Sequence, residues 1–209
     1  MDPALAVATG PLLSFTLASI IIELTPGPNM TYLALVSAAE GRRSGFATVA
    51  GIALGLAGVG LAAALGVAEL ISASPVAYEL LRWSGILFLL YLAWDGWREA
   101  GVDEVAASQG AARYFRRGLV TNLLNPKAAV FYVAVLPNFI DPAGPVLAQT
   151  ITLTAIYVGV ATLIHAGIVL LAGAATPFLT DERRERTARR TLSALLALVA
   201  LWFAWSTAR

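Results

Sequence analysis

A carboxylate, an ammonium group and an imidazole stand almost alone in long apolar stretches of this chain. Glu23 follows Ile20-Ile-Ile, Lys127 follows Leu123-Leu-Asn-Pro126, and His165, the only histidine, lies in Ala161-Thr-Leu-Ile-His-Ala166. Glu23 is about 11 residues into its stretch and Lys127 about 10 residues beyond Arg117, so at about 1.5 Å per helical residue each lies roughly 15 Å deep. That is half of a hydrocarbon layer roughly 30 Å thick. A charge at that depth costs roughly 2.5–3.5 kcal/mol on insertion scales, and charges kept there bind solutes, relay protons or pair with one another. A Glu23–Lys127 pair that only ties two helices together accounts for both residues without any chemistry. A pair that holds a zwitterion accounts for them with chemistry, and one pair could do both.

Prolines mark the same two places. In Thr25-Pro26-Gly27-Pro28, Pro26 cannot bond the carbonyl of Ile22, and Pro28 cannot bond that of Leu24. Pro126, after Asn125, frees the carbonyl of Asn122. Proline lacks an N–H and clashes with the carbonyl four residues back, and unpaired backbone groups persist in a bilayer only where protein, water or a ligand satisfies them. Each break also makes half-helix ends, whose N-terminal ends suit a carboxylate. An amino acid fits these groups. Glu23 and the freed carbonyls of Ile22 and Leu24 could accept from its ammonium. Lys127 and the N–H groups near Asn29 and Met30 could donate to its carboxylate. The candidate substrate site is thus Glu23, Thr25, Pro26, Gly27, Pro28 and Asn29 from one break, with Asn122, Asn125, Pro126 and Lys127 from the other. Glu23 and His165 are the candidates for carrying a coupling proton. His165 could equally be a neutral imidazole bonded to a neighbouring helix. No metal or cofactor is expected at this site.

The elements that must position these groups are membrane helices. The chain has 209 residues, 58% apolar and 13% charged, against about 25% charged in an average soluble domain. Mean hydropathy is +0.76. Six stretches are long enough to span a bilayer, at approximately 12–38, 45–71, 77–99, 117–138, 147–174 and 187–206. The fold class expected is therefore an all-α membrane protein of six transmembrane helices. It would be a single domain of two inverted three-helix repeats, roughly 1–99 and 113–209, with helices one and four broken. Interrupted spans at matching positions of inverted halves point to a transporter's midplane site. Residues 100–116 read as a flexible linker.

Eleven of the fourteen Lys and Arg residues fall in alternate loops. They are Arg42 and Arg43; Arg98, Arg113, Arg116 and Arg117; and Arg183, Arg184, Arg186, Arg189 and Arg190. The positive-inside rule places those three loops in the cytoplasm and both termini outside. Trp83, Trp94, Trp97, Trp202 and Trp205 fall near the proposed helix ends, where amphipathic rings favour the interface. Residues 1–10 contain no Lys or Arg, so the first apolar stretch is expected to stay as a helix rather than serve as a cleaved signal. Without cysteine, disulfides, thiol redox chemistry and thiolate metal sites are excluded. The net charge of +1 gives no reason to expect a nucleic-acid partner. Asp95 and Glu99, beside Arg98, read as a solvated interface. Gly51, Gly55 and Gly58 form a small-residue face for contact within the bundle or for a homodimer seam.

The order of these motifs resembles a known family. Glu23-Leu-Thr-Pro-Gly-Pro-Asn-Met30 is similar to the first-span signature of the lysine exporter / homoserine-threonine exporter family. Gly41-Arg-Arg-Ser-Gly45 with Gly51-Ile-Ala-Leu-Gly55 resembles its first cytoplasmic loop and second span. Gly118-Leu-Val-Thr-Asn-Leu-Leu-Asn-Pro-Lys-Ala128 and Leu136-Pro-Asn-Phe139 resemble its fourth span. The resemblance implies a bacterial inner-membrane exporter of amino acids or related metabolites, driven by the proton gradient. The Pro-Gly-Pro-Asn-Met form resembles the exporters of neutral amino acids. Many relatives carry a polar residue in span two where this chain reads Gly58-Val-Gly60, so no role is carried over there.

Two rival classes meet difficulties in the residues. A divalent metal-cation exporter of similar architecture wants several oxygen ligands, and Lys127 would repel the cation. An intramembrane serine protease needs a nucleophile near His165 and an oxyanion hole, and no Gly-x-Ser-Gly element lies at helix depth.

Overall fold

The computed structural model describes residues 9–25, 27–65, 74–99, 110–174 and 182–206. All regular structure among them is helical. Helix α1 spans Thr9–Leu24, α2 Pro28–Ala64, α3 Pro75–Glu99 and α4 Gly110–Leu123. A short α5, Pro126–Val130, runs on through a π turn, Phe131–Val135, and a 3-10 turn, Leu136–Phe139. Helices α6, Val146–Gly173, and α7, Glu182–Ser206, complete the bundle.

The proline pattern sets the first interruptions. Helix α1 stops at Leu24, Gly27 is extended (φ −161°, ψ 179°), and α2 opens with Pro28 as its first residue, where a missing N–H costs no hydrogen bond. Helices α4 and α5 are separated only by Leu124 and Asn125, and the two segments bend by 50°. Pro126 takes the first position of α5.

Helix α2 is two arms rather than one rod. Gly41 has φ +79° and ψ 174°, a conformation that glycine adopts far more readily than other residues. A Cβ placed on Gly45 would overlap Ser37 Oγ, although eight residues of straight helix rise about 12 Å. Leu33 and Val49 likewise share one buried cluster with Val169. The chain therefore folds back at Gly41, and arms 28–40 and 42–64 lie against each other. The first arm continues expected span one beyond its break. The second begins expected span two, whose remainder (66–71) lies outside the described residues. Residues 110–116, assigned to a linker from sequence, form the first two turns of α4, and 100–109 lie outside the described residues.

Large apolar side chains lie on the surface as well as in the core, and several polar groups are buried beside that core. Leu13, Leu17, Ile21, Leu54, Leu61, Leu163 and Leu171 are all more than half exposed, whereas Ser19, Glu23, Asn29, Asn122, Asn125 and His165 are buried. A belt of exposed leucines around buried polar groups fits an apolar surrounding solvent. Helices α2 and α6 carry apolar windows long enough to cross a membrane, and the bent α4–α5 pair makes up to three. All five tryptophans are exposed on the outside of the bundle.

Helix α2 packs most extensively on α4 and α6, while α3 packs on α7. Small residues permit the α2–α4 contact. A Cβ on Gly51 would overlap the Phe115 carbonyl, and one on Gly118 the Thr48 carbonyl. A Cβ on Gly55 would meet Asn122 Nδ2 at 2.8 Å, whereas nothing lies within 4 Å at Gly58. The Gly51–Gly55 face is thus a contact inside the bundle.

Candidate functional site

Both breaks open onto one small cavity, with room for about one water molecule. Glu23, Gly27, Asn29 and Met30 line it from the first break, Asn125, Lys127 and Ala128 from the second, and Leu56 and Tyr157 close its side. Its polar groups are held by defined partners. Lys127 lies across the first break, with Nζ donating to the Thr25 carbonyl at 2.9 Å and Cδ 3.5 Å from a Cβ built on Gly27. Asn125 caps α5, its Oδ1 accepting the Lys127 backbone N–H at 3.1 Å. Asn29 Nδ2 donates to Asn122 Oδ1 at 2.8 Å, tying the two breaks together behind the cavity. That pair leaves Asn29 Oδ1 and Asn122 Nδ2 buried without hydrogen-bond partners, an uncommon state for buried polar atoms.

Glu23 is held from α6. Tyr157 Oη donates to Oε1 at 2.5 Å. His165 Nε2 stands 3.4 Å from Oε2 and has no hydrogen-bond partner. Glu23 and Lys127 share the cavity, and each has a hydrogen-bond partner of its own. His165, expected as a proton relay or as a neutral imidazole bonded to a neighbouring helix, faces the Glu23 carboxylate with its Nε2.

The two half-helices leave the cavity in opposite directions. The first arm of α2 runs to the C-terminal end of α6, where Arg42 donates to the Leu170 carbonyl at 3.2 Å. The α5 segment runs to the N-terminal end of α6, where Gln149 and the Asp141 backbone bond each other at 2.9 Å in both directions.

Most residues expected at the site converge there. Glu23, Gly27, Asn29, Asn125 and Lys127 line the cavity. Pro28 and Asn122 are buried directly behind it, and His165 lies behind Glu23. Thr25 contributes its carbonyl, while its hydroxyl donates back to Ile21 at 3.0 Å. Pro26 lies outside the described residues, as does the side chain of Pro126. One expectation is corrected. The Ile22 carbonyl, expected to be left free by Pro26, accepts the Thr25 N–H at 3.1 Å, and the Asn122 carbonyl, freed by Pro126, accepts the Asn125 N–H at 3.0 Å. Thr25 supplies the carbonyl that faces a charge.

Sequence reasoning missed Tyr157. Its signal was the buried stripe Thr150, Thr154, Tyr157, Ala161 and His165, spaced three and four apart on an otherwise apolar helix. Asp95, expected in a solvated interface, accepts from Arg113 at 2.9 Å and from Arg117, joining α3 to α4.

Apolar helices broken around a buried, charged cavity define a membrane solute transporter as the class. The model of LysE type translocators matches residues 20–207, and the chain belongs to that family. It is a translocator and not an enzyme. A homoserine/homoserine lactone efflux protein of Salmonella typhi is 30% identical over 189 residues, covering 89% of this chain and 92% of the relative. A leucine efflux protein of Salmonella choleraesuis is 28% identical over 190 residues, covering 88% and 89%. One from Klebsiella pneumoniae is 28% identical over 197 residues, covering 92% of each. No solved structure matches.

Proposed function

We propose that the chain is a secondary active exporter of amino acids with neutral side chains, or close relatives of them, in the bacterial inner membrane, working by proton antiport. One observation carries this reading: a carboxylate from the first break and an ammonium from the second line the same small cavity. A zwitterion meets an opposite charge at each end there. Glu23 and the Asn29 amide oxygen accept from its ammonium. Lys127 and the first N–H groups of α2 donate to its carboxylate. The relatives' names, homoserine and leucine efflux, support a solute with an uncharged side chain. A divalent cation is disfavoured by the Lys127 ammonium in the same cavity.

In this reading the chain crosses the bilayer six times as two inverted repeats, with α1 and the first arm of α2 as one interrupted span and α4–α5 as its counterpart. The opposite exit directions of the two half-helices support that arrangement. The arginine-rich turns face the cytoplasm, and the termini face outward. Glu23 carries the coupling proton with His165, so inward proton movement down a field worth roughly 2.3 kcal/mol per charge per 100 mV drives solute out.

Everted membrane vesicles test it. Uptake of radiolabelled homoserine or leucine should rise with an imposed proton gradient and collapse with an uncoupler. Uptake of both indifferent to the gradient rejects the antiport. A growth-toxicity screen across amino acids and analogues then names the solute class.

A further inference from the structure

We infer that Tyr157 is a positioning residue for the coupling proton: its hydroxyl fixes one oxygen of Glu23 so that the other faces the unpartnered Nε2 of His165. The inference rests on the proton-antiport reading and deepens it.

The Tyr157 ring has little freedom. It stacks on Phe131 with centroids 3.7 Å apart and planes 13° from parallel, and meets Tyr132 edge-on at 5.7 Å. Phe131 begins the π turn just beyond the second break, an irregularity found often at functional sites. Clamped there, the Tyr157 hydroxyl reaches Glu23 Oε1 at 2.5 Å. The carboxylate's other oxygen is left toward His165, 3.4 Å away.

The isolated Nε2 gains a purpose from this arrangement. A buried ring nitrogen without a partner is unfavourable in either tautomer. One proton shared with Glu23 completes it in both states. With the proton on Oε2, the carboxyl O–H donates to a bare Nε2. When that O–H bond breaks and an N–H bond forms on Nε2, the imidazolium donates to the carboxylate. One proton moves, no other bond changes, and Tyr157 keeps its own proton as donor throughout. The other titratable groups toward Glu23 are Lys127 from α5 and Tyr132 from the π turn. Lys127 is bonded to Thr25 O, and Tyr132 Oη donates to Leu56 O at 3.0 Å. Helix α2 presents the uncharged Asn29 there. None of these takes the place of the Tyr157 hydroxyl.

The test reads protonation of Glu23 without requiring a known solute. Dicyclohexylcarbodiimide modifies protonated carboxyl groups in apolar surroundings, and peptide mass spectrometry follows the Glu23 adduct on the purified full chain from about pH 5 to about pH 9. Tyr157→Phe keeps the stack and removes one donor to the ionised carboxylate, so the labelling midpoint should move up by about one pH unit or more. Phe131→Leu, which loosens the clamp and leaves the hydroxyl, should move it in the same direction by less. An unchanged midpoint in Tyr157→Phe overturns the inference, whatever happens to thermal stability. So does a wild-type Glu23 that never labels. If the midpoint shifts while vesicle uptake ignores the proton gradient, the positioning stands as geometry and the antiport reading falls by itself.

Discussion

At the scale of single residues, the site is built from groups that each answer a particular deficit. Lys127 supplies the donor for a carbonyl stranded by the Pro26–Pro28 pattern, and among the described residues it is the only cationic side chain lining the cavity. Lys127→Ala removes both. Hydrogen bonds to charged groups contribute about 1.5–3 kcal/mol, so solute affinity should fall about tenfold to a hundredfold. Concentration dependence of uptake in everted vesicles checks this, and a wild-type half-saturating concentration would remove Lys127 from the binding site. Glu23→Gln keeps size and a hydrogen-bond acceptor but cannot gain or lose a proton. Any uptake that survives should be independent of pH, and a retained wild-type pH profile would clear Glu23 of proton coupling. Charge at depth and proline made Glu23, Asn29, Asn125 and Lys127 legible from the sequence. Tyr157 was not, because a tyrosine in an apolar helix reads as packing. The partner of its hydroxyl depends on how α1 crosses α6, which no local pattern encodes. The local partner of the Ile22 carbonyl was not legible for a related reason: a break can close into a tight turn within three residues.

At the scale of elements, small residues decide how closely helices approach. Gly51 lets the second arm of α2 lie directly on the α4 backbone near Phe115, while Gly58 faces open space. Both lie on the same arm and carry similar helix propensity. Gly51→Ala should therefore separate α2 from α4 and lower stability by about 1–3 kcal/mol. Gly58→Ala should be neutral or slightly stabilising, by up to about 1 kcal/mol. Thermal unfolding of the detergent-solubilised protein compares them, and equal midpoints would mean that the close crossing does not carry the packing. Hydropathy located α3 and α6 within about two residues, since long apolar runs between polar ends leave little choice of boundary. It placed the start of α4 too late. Arg113, Arg116 and Arg117 look like loop residues, yet Arg113 and Arg117 both find Asp95. A helix stabilised by ion pairs to another helix carries no apolar signal of its own.

At the scale of the whole molecule, the proposal depends on direction. The first arm of α2 and the α5 segment start at one cavity and end at opposite ends of α6, the arrangement that lets a central site be exposed alternately to either side. Sided labelling decides whether those two ends lie on opposite faces of the membrane. The chain has no cysteine, so each introduced thiol is unique. Arg43 lies at the exposed turn between the two arms of α2, Arg186 is exposed in the first turns of α7, and Ala143 is exposed between the 3-10 turn and α6. A membrane-impermeant maleimide added to intact spheroplasts should label Ala143→Cys and spare Arg43→Cys and Arg186→Cys, and everted vesicles should reverse the pattern. The arginine distribution predicts which face is which, and the exit directions of the half-helices predict that the faces differ. If all three thiols react from one side, the two half-helices do not diverge across the bilayer. A cavity between them would then have no second side to open to, and Glu23 and Lys127 would return to being a structural feature of a helical bundle.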